Sequence, residues 1–404
     1  MARLVRQAPG GVNPLYLDYQ ATTPLAPEAA AAMRPWIDTH FANPHSSHRL
    51  GREAAAAIEV AREQVLQALA SSPARVERSR DTPTSPTASD PKGKLYFTSG
   101  ATEAANWALK GAAARLPPHK RRIVTLATEH ACVLDTVQWL GNQGFETETL
   151  SVQPDGVIDL NLAAARITPD TGIVAAMLVN NEIGVIQPIA ELSAIAHAAG
   201  ALFFCDAVQG FGRAPLPLDA CDMVAVSAHK VHGPKGIGAL WIRDGVEIDP
   251  LLHGGGQEGG LRSGTLSPAL CAGFGEAARL LVERHEEDHA HVDRLWSLAG
   301  ETMTNWTLNG SAEQRYLGNL NLRRAGVDSA RLISKLRGIA FSSGSACASG
   351  SGRPSHVLAA LGLSAAEARG SIRIGFGRYT GEEELLEALR LIDEAALRQL
   401  RFAA

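Results

Sequence analysis

Short apolar runs alternate with helix-forming stretches through the middle of this chain, and that rhythm limits it to an α/β layered fold. Strands are predicted at Lys94–Thr98, Arg122–Leu126, Gly144–Val152, Ile173–Val179, Leu202–Cys205, Met223–Val226 and Gly236–Ile242. Helical patterns lie between them, among them Glu191–Ala198 and a segment that runs through Lys110. In such a fold the loops leaving the carboxyl ends of the strands converge on a ligand. His130, Asn181, Asp206, Gln209 and Lys230 all follow predicted strands in this way.

Lys230 stands in Ser227-Ala228-His229-Lys230-Val231-His232-Gly233-Pro234-Lys235-Gly236, between two of the strands. Desolvation beside a core disfavours an ammonium, and a neutral amine can form a Schiff base with a carbonyl. Taken alone, the segment is also the pattern of a strand-ending lysine that snorkels to water. At Ser99-Gly100-Ala101-Thr102-Glu103 a strand ends at glycine and a helix begins with a hydroxyl in its first turn. Free N–H groups and the positive helix end suit an anion such as phosphate. Alone, this too is an ordinary N-cap.

Composition narrows the partners. The 404 residues are 45% hydrophobic and 20% charged, enough to bury two domains, or one large and one small. A formal net charge of −4 with no basic block disfavours nucleic acid and anionic membrane. No apolar run approaches the roughly 18 residues of a membrane span. Five scattered cysteines with no CxxC pattern argue against a disulfide framework or a zinc site, and no metal site is expected. The N-terminal stretch lacks the apolar core of a signal peptide, so a cytoplasmic location fits. Ser71–Lys94 holds four prolines and, besides alanine, one aliphatic residue, Val76; it is expected to be a mobile surface insertion. A long helix is expected from Leu270 to His289, leading into the second domain.

An aldehyde cofactor bearing a phosphate and a pyridine ring needs an amine, a carboxylate for the ring nitrogen, a flat group to stack and a phosphate cradle. Lys230, Asp206, His130, and Thr102 with Ser227 and His229 are candidates for these parts. The motifs YLDYQATTP (16–24), NPHSSHRLGR (43–52), FTSGATE (97–103), TEH (128–130), NNEIGVIQP (180–188), DAVQ (206–209), SAHKVHGPKGIGAL (227–240), GGGQE (254–258), RSGT (262–265), SSGSAC (342–347) and SIRIGFGR (371–378) follow in order along nearly the whole chain. With them the chain resembles the cysteine desulfurases, of the class V aminotransferase group within fold type I pyridoxal phosphate enzymes. The stretch from Cys347 to Pro354 resembles the housekeeping subgroup with the longer catalytic loop. Gln20, Ala131-Cys132 and the Ser71–Lys94 insertion depart from the family's pattern.

The resemblance implies a large domain over 15–266, with a mostly parallel sheet between helices. It implies a smaller α+β domain over 267–404, joined by the segment 1–14 and carrying the catalytic cysteine loop. It implies pyridoxal 5'-phosphate on Lys230, with Asp206 at the pyridinium nitrogen, Gln209 at the phenolic oxygen and His130 stacked on the ring. His130 would also serve in acid–base steps. Ala101, Thr102, Ser227 and His229 would bind phosphate, and Thr265 would reach in from the partner of a homodimer. Asn181 would contact the cofactor, and with Arg373 would hold the carboxylate of L-cysteine. Cys347 would take the sulfur as a persulfide, leaving alanine, and pass it to acceptors such as an iron–sulfur scaffold or a tRNA-thiolation protein. Cys132 and Cys205 are read as small core residues. The alternatives are a selenocysteine lyase or another β-elimination lyase on the same scaffold, and a cofactor-free sulfur carrier. Lys230 and Asp206 argue against the last.

Overall fold

The larger sheet has seven strands, in the order Gly93–Thr98, Gly238–Arg243, Met223–Ser227, Leu202–Asp206, Thr171–Met177, Arg122–Leu126 and Glu146–Leu150. Only Gly238–Arg243 runs against its two neighbours; the other pairings are parallel. This computed structural model describes residues 14–71, 92–343 and 355–403. Cys347 and all but the edges of the Ser71–Lys94 insertion lie outside them.

The central strands are apolar from end to end because both faces are covered. Every residue of Thr171–Met177 and of Met223–Ser227 is buried. On one face the helices Ala101–Arg115 and Ala131–Asn142 contribute Trp107, Ala108, Val133 and Val137 to a core with Ile123, Ile173, Phe204, Met223 and Leu240. Helix Ile189–Ala198 packs on the strands Thr171–Met177 and Leu202–Asp206.

The chain divides into two compact units. One comprises Thr23–Asn180 and Val185–His285; the other comprises the described residues up to Thr22, Asn181–Gly184 and those from Glu286 onward. The smaller unit has an antiparallel sheet in the order Ser342–Ser343, Ser371–Gly375, Asn319–Arg323 and Thr307–Leu308. Leu15–Tyr16 pairs in parallel with Ile339–Ala340. Helix Glu382–Ala403 turns Leu385, Ala388, Leu389 and Ile392 onto Leu17, Leu320, Ile372, Ile374 and Phe376, the spacing of one helix face.

The helix expected over Leu270–His289 is instead two, Pro268–Glu283 and His285–Thr302. Arg284 breaks the run with φ −103° and ψ 9°. A new helix starts at once because Glu286, Glu287 and Asp288 suit the positive end of a first turn.

The tetrapeptide Asn181–Gly184 is held in the smaller unit through its own carbonyls. Asn181 O accepts from Arg373 Nη1 at 3.0 Å and Asn319 Nδ2 at 3.3 Å. Glu182 O accepts from Asn321 Nδ2 at 2.8 Å, Ile183 O from Arg315 Nη2 at 3.0 Å, and Gly184 O from the Tyr316 N–H at 2.8 Å. Arg315 is buried, and burial pushes its guanidinium down to about 10. No helix of the described residues is long and apolar enough to cross a membrane.

Candidate active site

Strand register brings the first set of groups together. Thr98 pairs with Gly238, Gly238 with Ser227, Asp206 with Ala225, and Met177 with Asp206. Neighbouring strands lie about 4.8 Å apart, so these strand ends, with the amino end at Gly238 among carboxyl ends, form one continuous edge. From Ser227 the chain enters a single 3-10 turn, Ala228–Lys230. Thr23 fixes that turn: its N–H and its hydroxyl donate to His229 O at 2.9 and 3.0 Å, and its hydroxyl accepts from His232 N–H at 2.7 Å. The turn closes on glycine, since a Cβ at Gly233 would lie 2.8 Å from the Ala228 Cβ.

Asp206 is 5% exposed, and its Oδ1 accepts from Val208 N–H at 3.0 Å. Burial pushes its carboxyl up, opposed by His130, the Val208 N–H and Lys230. Such a group calls for a buried positive partner. His130 caps helix Ala131–Asn142: its Nδ1 accepts from Cys132 N–H at 3.1 Å, with Cys132 Sγ 3.0 Å from the same nitrogen. An accepting Nδ1 puts the proton of the neutral ring on Nε2. Gln209 is buried, and Arg213 donates to its Oε1 at 2.9 Å and also to Lys230 O.

The helix that begins at Ala101 offers the second part. Gly238 lies so close to its start that a Cβ there would be 2.9 Å from Gly100 Cα and 2.6 Å from Val226 O. The first-turn N–H groups of such a helix have no partner within the helix. Glu103, in that first turn, would repel an anion. Arg262 answers it, donating from Nε to Glu103 Oε1 at 2.8 Å, and the Ser99 hydroxyl donates to Oε2 at 2.6 Å. Against the opposing effect of burial, these contacts hold the Glu103 carboxyl below its ordinary range. Gly238→Ala is expected to weaken binding of an anion-bearing cofactor about tenfold, because overpacking typically costs 1–3 kcal/mol. A cofactor titration checks this, and unchanged affinity would contradict it.

The other expected residues are placed as follows. Ser227 is buried, Ala101 and His229 are half-buried, and Thr102 and Thr265 are exposed. Asn181 and Arg373 belong to the smaller unit, and Arg373 is completely buried. Its Nη2 pairs with Asp18 Oδ1 at 2.7 Å. The sequence did not single out Arg213, Glu129 or Asp18. Glu129 is 1% exposed and accepts from Met177 N–H at 2.8 Å, and burial raises its carboxyl well above the ordinary range. Its position beside His130 in the TEH motif was the available signal. Cys205 is buried, whereas Cys132 is half-buried against His130.

This fold, with a lysine, a buried aspartate and a helix start along one sheet edge, defines a pyridoxal phosphate enzyme. Over residues 15–388 the chain matches the class-V aminotransferase family, and it belongs to that family. It is 42% identical to a cysteine desulfurase IscS of Rickettsia bellii (strain OSU 85-389), over 94% of this chain and 90% of that protein. It is 43% identical to a mitochondrial cysteine desulfurase of Eremothecium gossypii, over 95% of this chain and 76% of that one. A solved NifS-like protein superposes with a TM-score of 0.83 at 33% identity, covering 95% of this chain and 99% of its own. A structure of SspA in complex with cysteine gives 0.75 at 34% identity, covering 91% and 99%. Within the family the chain groups with the cysteine desulfurases.

Proposed function

We propose that the chain converts L-cysteine to L-alanine and passes the sulfur, as a persulfide on Cys347, to acceptors for iron–sulfur cluster assembly or tRNA thiolation. The observation that carries this reading is the pairing of the strand that leads to Lys230 with the one that ends in the buried Asp206, whose carboxyl feels the charges of His130 and Lys230. The donor set fits pyridoxal 5'-phosphate. Asp206 is a buried acid suited to a protonated ring nitrogen. Gln209, fixed by Arg213, suits the phenolic oxygen, and Gly238 leaves room for the helix start to act as a phosphate cradle. When bound, the cofactor supplies an electron sink for the substrate Cα.

The chain's own groups do the rest. Lys230 carries the cofactor through its amine and then moves the proton at the substrate Cα. His130 would stack on the ring, with Asn181 beside the cofactor, and Nε2 is the nitrogen of His130 left to donate. Ala101, Thr102, Ser227 and His229 hold the phosphate, with Thr265 reaching the site of a second copy in a homodimer. Arg373, with Asn181, takes the substrate carboxylate. The Cys347 thiolate would attack the substrate sulfur, forming an S–S bond as the Cβ–S bond breaks, with the electron pair left on the carbon that takes up a proton to become alanine. A reducing cytoplasm suits this chemistry, and the four described cysteines are free. The test is turnover of L-cysteine: alanine with one persulfide sulfur held on the enzyme is expected, released as sulfide only when a thiol reductant is added. Pyruvate with ammonia would instead mark a β-elimination lyase, and selenocysteine-only turnover a selenocysteine lyase.

His229 has a pH signature of its own. Burial, then the charges of Lys230, Lys235 and Arg213, push its imidazole from 6.5 down to about 4. The unfolded chain therefore takes up this proton first, and acid favours unfolding. The stabilisation is complete above about 6.5 and is lost as pH falls through about 4. His229→Asn should flatten the stability of the cofactor-free protein across that window in denaturant titrations. An unchanged slope would contradict the assignment.

A further inference from the structure

Asp18 places a carboxylate against the very arginine assigned above to a ligand's carboxylate. Arg373 Nη2 donates to Asp18 Oδ1 at 2.7 Å, and Nη1 to Asn181 O at 3.0 Å. The Ser342 hydroxyl donates to the same Asp18 oxygen at 2.9 Å and lies 3.4 Å from Nη2. Arg373 Nε is buried and has no acceptor among the described residues. The guanidinium is thus anchored by both terminal nitrogens, and its third nitrogen is left over.

Asp18 is itself held by the backbone on both sides. Gly375 N–H donates to Leu17 O at 2.8 Å, and Tyr19 N–H to Gly375 O at 3.4 Å. The Tyr16 hydroxyl donates to Asp18 O at 3.2 Å and to Thr22 O at 2.9 Å. Glycine at position 375 permits this approach, because a Cβ there would lie 2.9 Å from the Tyr19 nitrogen and press on the Gln20 amide. Gln20 is anchored in turn, donating to Gly318 O at 2.8 Å. The backbone beneath Asp18 is thus fixed, and its carboxylate is held by Arg373 and Ser342.

We propose that Asp18 is a positioning residue for substrate binding: it fixes the orientation in which the Arg373 guanidinium meets the substrate's carboxylate. Without it the guanidinium keeps the Asn181 carbonyl and only the longer contact with the Ser342 hydroxyl, and a ligand must restore the lost order when it binds. This rests on the carboxylate role of Arg373 proposed above.

The test compares two ligands that differ by a carboxylate alone, L-alanine and ethylamine, titrated into the holoenzyme by cofactor absorbance. Asp18→Ala is expected to weaken L-alanine about tenfold and ethylamine less than about twofold, and to raise KM for L-cysteine about tenfold with kcat within about threefold. Asp18→Asn keeps an oxygen in place and should lie within about threefold of the parent protein. Should Asp18→Ala not fold, Asp18→Glu is read instead: it moves the oxygens by a methylene, and the same selective loss is expected. Equal weakening of both ligands, or L-alanine bound as well as before or more tightly, overturns the proposal. Arg373→Lys separates the two ideas. If it leaves L-alanine binding intact, the carboxylate role of Arg373 falls, and this inference with it. If it weakens L-alanine while Asp18→Ala does not, only the inference falls.

Discussion

Cys347→Ser is expected to keep the cofactor and to bind L-cysteine, yet to transfer sulfur at least about a thousandfold more slowly, because a serine hydroxyl is a poor nucleophile near neutral pH. A free thiol titrates near 8.5, so a few per cent is thiolate at pH 7. None of the four described cysteines is placed to stand in. Cys205, Cys221 and Cys271 are buried. Burial pushes the Cys205 thiol well up and the Cys271 thiol to about 12. Cys132 is half-buried, and burial raises its thiol as well. Alanine formation and persulfide labelling measure the effect together. Turnover at the parent rate would refute the proposed role of Cys347.

Lys230→Ala is expected to abolish borohydride fixation of the cofactor and to cut turnover by at least about a thousandfold, since a positioned acid–base group alone contributes 10²–10⁴. The fold should survive. The 3-10 turn is held through the backbone, by Thr23 at His229 O and Arg213 at Lys230 O, and alanine keeps both carbonyls. Two electrostatic shifts should accompany the loss. Lys230 is one of the charges that lower Asp206 and His229. Its removal should therefore move the Asp206 carboxyl further up and let the His229 imidazole rise back towards its ordinary value. NMR titration of the cofactor-free protein reads both shifts. Cofactor reduced onto another lysine at full yield would show that Lys230 is not the attachment point.

The strand that carries Lys230 was legible because it is buried on both faces, which forces a continuous apolar run that turn residues then end. Asp206 was legible for the same reason, as the last residue of Leu202–Asp206. What stayed hidden depends on contacts across long stretches of chain. Asp18 and Arg373 are 355 residues apart, and nothing local to either names the other. The Cys132 contact with His130 follows from the way a helix starts, which a reading of cysteine as a small core residue passes over. The break at Arg284 was missed because hydrophobic periodicity continues on both sides of it, and only the acidic residues after it mark a fresh start.

The four carbonyls of Asn181–Gly184 have a consequence for biosynthesis. Their donors lie between Arg315 and Arg373, in the last quarter of the chain to leave the ribosome. At about 5–20 residues per second, the tetrapeptide waits on the order of 10–40 s for its partners. Leu17 and Asp18 wait longer still, since Gly375 closes over them. A nascent chain therefore carries the Asn181–Gly184 carbonyls, and that of Leu17, without the donors they have in the finished fold. A polypeptide released before Arg315 would lack every one of these donors, a mark by which cellular quality control could tell an unfinished copy from a complete one.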